Sequence, residues 1–103
     1  MEFTNVKLIA KANIYDGGKV SSRTFYTENG ERKTLGFMQA GDYEFGTAAA
    51  EEMQILQGEM AALLPGSQEY KTFASGSSFN IPANSSFKVK VTEYADYCCS
   101  YFD

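Results

Sequence analysis

Arg32 and Lys33, Glu51 and Glu52, Asn80, and the tyrosines Tyr43, Tyr97 and Tyr101 are the side chains with most to offer a reaction. They supply cations, carboxylates, an amide and hydroxyls. The chain has no histidine at all, which narrows the chemistry further. Transition-metal isomerase and oxygenase sites lean on imidazole ligands, and histidine is the most frequent acid–base side chain in enzymes. Any chemistry here has to come from charge, hydrogen bonding and shape. The two cysteines, Cys98 and Cys99, are adjacent. On a strand they point to opposite faces, and a bridge between neighbours is strained. They read as reduced thiols that fill space as small hydrophobes.

The bulk of the sequence bounds what can hold those groups. At 103 residues the chain is the size of one domain, and such a chain buries roughly 60–70% of its unfolded surface. With 44% hydrophobic residues and fifteen aromatics (seven Tyr, eight Phe) it is globular. A net charge of −4 with nine basic residues argues against a nucleic-acid polymer as partner. A small anion needs only two or three local cations and stays open. No apolar run approaches the ~20 residues of a membrane helix. The start, Met1-Glu-Phe-Thr-Asn-Val-Lys-Leu-Ile-Ala-Lys11, is too polar and broken for a signal peptide, so a cytoplasmic protein with no membrane partner is expected.

The elements that must position the reactive groups read as strands. Turn signals recur at Asp16-Gly17-Gly18, Glu28-Asn29-Gly30, Ala40-Gly41-Asp42, Pro65-Gly66-Ser67, Ser75-Gly76-Ser77 and Pro82-Ala83-Asn84. Between them, Phe87, Val89 and Val91 alternate with Lys88 and Lys90, and Tyr43, Phe45 and Thr47 alternate with Glu44 and Gly46. Tyr97, Cys99 and Tyr101 share a face of the last segment, and residues 8–15 and 19–27 also read as strands. The pattern predicts an all-β, single-domain barrel or sandwich spanning residues 1–103. Residues 48–64 pull the other way. They are rich in Ala, Glu, Met and Leu, with Met53, Leu56, Met60, Leu63 and Leu64 at helical spacing. Gly58 costs ~1 kcal/mol inside a helix, and periodicity leaves helix and strand both open.

The ordered motifs Arg32-Lys-Thr-Leu-Gly-Phe-Met38, Gly41-Asp-Tyr-Glu-Phe-Gly-Thr-Ala-Ala-Ala-Glu-Glu-Met53, Gly58-Glu59 and Gly76-Ser-Ser-Phe-Asn-Ile-Pro82, with Tyr97-Cys-Cys-Ser-Tyr101, carry a resemblance over residues 8–102. They resemble the pyrimidine/purine nucleoside phosphorylase family of small cupins. The resemblance implies a cupin-type, jelly-roll-like antiparallel barrel, usually a homodimer. It implies that a purine or pyrimidine nucleoside and inorganic phosphate react to give free base and ribose 1-phosphate, with no metal and no cofactor. It also turns residues 48–64 into two strands, 52–57 and 60–64, joined by a hairpin turn at Gly58.

The same resemblance suggests roles. Arg32 and Lys33 are candidates for phosphate, with Arg23 a third; arginine offers a fork that fits phosphate oxygens and lysine a point charge. Thr47 stands where an ordinary cupin has its first metal histidine and is expected to point inward, with the Gly46 N–H as a further donor. Glu51, at the position of a metal-binding carboxylate, is expected to bind ribose hydroxyls or stabilise a cationic ribose, while Glu52 faces away. Asn80 can donate and accept at a base edge. Phe87 replaces a motif histidine and reads as core or pocket wall, beside Phe79. Tyr43, Tyr97 and Tyr101 can stack on a base or donate a hydroxyl. Each has a plainer reading: a solvated cation, a β-branched strand residue, a structural carboxylate, a turn-capping Asn, a core aromatic. Tyr, a Glu that holds its proton, and phosphate itself all stay open as the acid for the leaving base. The alternative function is a non-catalytic cupin that binds a small nucleoside or sugar.

Overall fold

The computed structural model describes residues 1–103. It forms one antiparallel sheet of eight strands: β1 (Lys7–Leu8), β2 (Asn13–Tyr15), β3 (Val20–Tyr26), β4 (Arg32–Thr47), β5 (Ala50–Leu63), β6 (Lys71–Ala74), β7 (Ser78–Ile81) and β8 (Ser85–Phe102). The strand order is β1-β3-β4-β8-β5-β6, with β2 also on β3 and β7 also on β5. The expected all-β antiparallel barrel is what the chain forms. Its frame is β8, paired along one edge with β4 and along the other with β5.

These three strands are long, at 16, 14 and 18 residues; in β4 and β5 a glycine read as a turn is a bend within a continuing strand, and β8 runs through without one. Gly41 follows a register shift in the β4–β8 ladder. Inward positions there change from Thr34, Gly36 and Met38 to Tyr43, Phe45 and Thr47, the signature of one extra residue in a strand. Tyr43 clasps this bend, its hydroxyl donating to the Gln39 carbonyl at 2.6 Å.

Residues 48–64 depart from expectation. There is no helix and no hairpin: Ala50–Leu63 is one strand, and Gly58 sits at a bulge flanked by register shifts against β8. Its φ of +74° is left-handed, and a Cβ there would lie 2.2 Å from the Tyr94 carbonyl oxygen. Glycine is needed for both reasons. The bulge lets β5 bend without leaving β8, so its first half also pairs with β7 and its second with β6. A hairpin at Gly58 would have given up that continuous ladder. The segment read as one strand over residues 8–15 is in fact two short ones, β1 and β2, both on β3.

The sheet curls around a single core drawn from β3 to β8. One end is filled by aromatics: Phe73 and Phe79 pack at 4.4 Å between centroids, Phe79 meets Phe87 at 6.1 Å, and Phe87 meets Phe45 at 5.7 Å. Burying a side chain of this size contributes about 1.5–3 kcal/mol. Past Phe45 and Phe87 the barrel is not filled, and the reactive groups gather there.

Candidate active site

A cavity of about 400 Å³ opens within the barrel, a volume within the range of small-molecule sites. Register explains its walls. Phe45 and Phe87 are cross-strand partners on β4 and β8, both inward, and make an aromatic wall. Tyr15 on β2 closes over Phe45 edge-on at 6.3 Å. Met38 and Met53 supply flexible apolar surface.

The polar wall comes from the ends of β4, β5 and β8. Glu51 and Tyr101 are register partners across β5 and β8, with Cys99 one inward step along. The Cys99 thiol donates to Glu51 Oε1 at 3.3 Å. Arg32, at the start of β4, lays its guanidinium over the Tyr101 ring at 4.0 Å. The Tyr101 hydroxyl shares a hydrogen bond with Thr34 Oγ1 at 3.3 Å. Tyr97 is the register partner of Gly36, and its ring fills the space a Cβ there would need. That glycine makes room for the tyrosine in the cavity wall.

The electrostatics follow from burial. Loss of water lifts the Glu51 carboxyl above the ordinary carboxylate range, and the Cys99 thiol and Arg32 charge pull it partway back. Burial pushes the Cys99 thiol and the Tyr97 and Tyr101 phenols well above their usual values, so all three are neutral donors around neutral pH. The wall therefore offers one guanidinium, three neutral donors and one carboxyl that keeps its proton to higher pH than usual. No three Cys, Asp or Glu side chains converge as a metal-ligand group.

Six sequence candidates line this one cavity: Arg32, Gly46, Glu51, Phe87, Tyr97 and Tyr101. Six others stand outside its lining, for definite reasons. Lys33 follows Arg32 on an alternating strand, so it faces outward and donates from Nζ to Ser100 Oγ at 2.7 Å. Thr47 is buried and inward as expected, but its hydroxyl is committed. It donates to the Pro82 carbonyl at 2.7 Å and accepts from the Ser85 N–H at 3.0 Å, clasping the β7–β8 turn. Asn80 is exposed opposite Glu52, because β7 turns Phe79 and Ile81 inward instead. Phe79 belongs to the packed aromatic end, and Tyr43 to the β4 bend. Arg23 faces outward as well, its Nε donating to the Ala10 carbonyl at 3.1 Å.

Cys99, Tyr15 and Ser22 line the cavity without having been singled out for it. Cys99 was available from the alternation that grouped it with Tyr97 and Tyr101. Ser22, held by Asn13 Nδ2 at 3.2 Å, follows the alternation of β3. Tyr15 carries no such signal, because only tertiary packing brings β2 over Phe45.

A family profile described as pyrimidine/purine nucleoside phosphorylase matches residues 10–101. A protein of that name from Syntrophotalea carbinolica is 56% identical over 100 residues, covering 97% of this chain and 96% of the relative. Another of that name, from Clostridioides difficile, is 54% identical over 100 residues, covering 97% and 95%. Among solved structures, a protein of unknown function (DUF1255) from Acinetobacter sp. ADP1 superposes with a TM-score of 0.95 at 37% identity, covering 98% of each chain. An RmlC-like cupin from Shewanella frigidimarina superposes with a TM-score of 0.70 over 98% of this chain and 89% of its own. At 11% identity that likeness speaks for the cupin fold alone. With matches of this length and identity, the chain belongs to the pyrimidine/purine nucleoside phosphorylase family.

Proposed function

We propose that the cavity catalyses phosphorolysis of purine and pyrimidine nucleosides. The observation that carries this reading is the convergence of the Arg32 guanidinium and the half-buried Glu51 carboxyl on one cavity with an aromatic wall. Arg32 takes inorganic phosphate. The base lies against Phe45 and Phe87, and the ribose bridges the two. A phosphate oxygen forms a bond to the anomeric carbon as the glycosidic C–N bond breaks, and the bonding pair stays on the base nitrogen. Glu51, protonated, passes its proton to that nitrogen and regains one from hydrogen phosphate, so the proton phosphate loses ends on the base. Tyr97 and Tyr101, held neutral, donate to ribose hydroxyls or phosphate oxygens. Holding both reactants in line can itself lower the barrier by about 7–11 kcal/mol.

No step in this scheme asks for a metal or an organic cofactor. The chain is also proposed to work as a homodimer, supported by the outward patch of Leu35, Phe37 and Tyr94 on β4 and β8.

The test is incubation of purified, chelator-treated protein with uridine or inosine, with and without phosphate. Free base should appear only with phosphate, matched one for one by ribose 1-phosphate. Base release that ignores phosphate would make the protein a hydrolase. Saturable nucleoside binding without release would make it a binder.

A further inference from the structure

Arg32 already holds an anion. Its Nε donates to Asp103 Oδ2 at 2.9 Å and its Nη2 to Oδ1 at 2.8 Å. This is the parallel, two-point geometry with which a guanidinium takes phosphate. The Asp103 side chain is 57% exposed and that of Arg32 32%, so the pair sits in reach of water where Arg32 enters the cavity lining. Asp103 lies just past the end of β8, and no other side chain hydrogen-bonds its carboxylate. The guanidinium is fixed independently by its stack on Tyr101, so it keeps its place if the carboxylate leaves.

We infer that Asp103 is a resident anion that occupies the Arg32 fork until phosphate displaces it. The inference rests on the phosphorolysis reading for the identity of the incoming anion. An exposed carboxylate–guanidinium pair in water is weak, so a dianion with three terminal oxygens can replace it. Chloride or a free carboxylate meets the same competitor, so Asp103 also keeps such anions from filling the fork at low concentration. While Asp103 is docked the binding-competent fraction is reduced, and the apparent phosphate affinity falls by that fraction. Asp103 is thus an intramolecular competitor that tunes anion occupancy of the fork and takes no part in the bond changes.

The experiment measures inorganic phosphate binding to the full chain by titration calorimetry, without nucleoside, in wild type, Asp103→Asn, Asp103→Ala and Arg32→Ala. It is repeated with added sodium chloride at one fixed ionic strength. Both Asp103 variants should bind phosphate roughly two- to fivefold more tightly, and the chloride concentration that doubles the apparent phosphate Kd should fall by a similar factor. Melting curves like wild type show the fold is kept. Equal or weaker phosphate binding with unchanged chloride tolerance in both variants overturns the inference and makes Asp103 a support for Arg32. The two readings fail separately. If Arg32→Ala abolishes binding while the Asp103 variants match wild type, only the role of Asp103 falls; if Arg32→Ala binds as wild type does, the phosphate site itself is misplaced.

Discussion

Glu51 and Cys99 meet inside the barrel, the thiol donating to Oε1 at 3.3 Å from the diagonal inward position on the neighbouring strand. A thiol is a weak donor. It satisfies the carboxylate partially and leaves burial as the larger effect, so Glu51 holds its proton more tightly than a solvated glutamate. A stronger donor at position 99 would pull the carboxyl back toward its ordinary range.

This has a consequence for stability. Between the unfolded value of about 4.3 and the raised folded value, the native state binds more protons than the unfolded chain. Stability then declines as pH rises through that window, and the full benefit is present only below it. Glu51→Gln keeps an acceptor for Cys99 and removes the titration. The melting temperature of the variant relative to wild type should therefore increase from acid to neutral pH. A constant difference would mean that Glu51 is not shifted upward.

The same substitution should cost activity. If Glu51 delivers the proton to the leaving base, Glu51→Gln lowers kcat by about 100-fold or more, with little change in the KM for phosphate. The wild-type fall in kcat at higher pH, set by loss of the Glu51 proton, should vanish from the residual activity. Retention of that alkaline limb in the variant would assign it to another group.

Arg32 should show the complementary split. Charge-assisted hydrogen bonds contribute about 1.5–3 kcal/mol, so Arg32→Ala should raise the KM for phosphate roughly 10- to 100-fold and leave the KM for nucleoside nearly unchanged. Arg32→Lys should recover only part, since a point charge lacks the fork. Steady-state kinetics with phosphate varied decides it. A variant with wild-type turnover at low phosphate would move the anion site elsewhere.

How much of this was legible in the sequence depended on what each signal reports. Alternation reports faces, so Phe87, Val89 and Val91, and the trio Tyr97, Cys99 and Tyr101, were each grouped on one face, and in the barrel that face is the inner one. Glycine reports a backbone freedom but not its use. Gly30, Gly66 and Gly76 turn the chain, whereas Gly41 and Gly58 only bend strands that continue, and nothing local separates the two cases. Side-chain commitments were also invisible. Thr47 was rightly expected inside, yet its hydroxyl is taken by Pro82 and Ser85, residues 35 and 38 positions away in the chain. Asn80 fell to plain alternation, since Phe79 and Ile81 claim the inner face of β7.

Gly58 allows the bend to be tested. Gly58→Ala faces a left-handed φ of +74° and a backbone oxygen 2.2 Å from the new Cβ. The conformation alone costs roughly 1–2 kcal/mol, and moving the Tyr94 carbonyl adds to it. Gly17→Ala is the control, with a φ of +67° and nothing within 4 Å of the added carbon. In urea, Gly58→Ala should lower the midpoint clearly more than Gly17→Ala, with the m-value unchanged. Equal losses would mean that β8 shifts freely and that the bulge is not fixed by this contact.

The outer face offers a last prediction, on assembly. Phe37 and Tyr94 stack at 5.8 Å with their planes 12° apart and are 44% and 40% exposed, beside Leu35 at 41%. Three large apolar side chains side by side on the outward surface of β4 and β8 are a surface that association would cover. A stable homodimer buries about 800 Å² per partner, and this patch is proposed as its centre. Phe37→Asp places a charge there while leaving the inner face untouched. Light scattering coupled to gel filtration should show a dimer for wild type and a shift toward monomer for the variant as the protein is diluted. A variant that stays dimeric at every concentration would put the contact on another face, and a monomeric wild type would remove the dimer altogether.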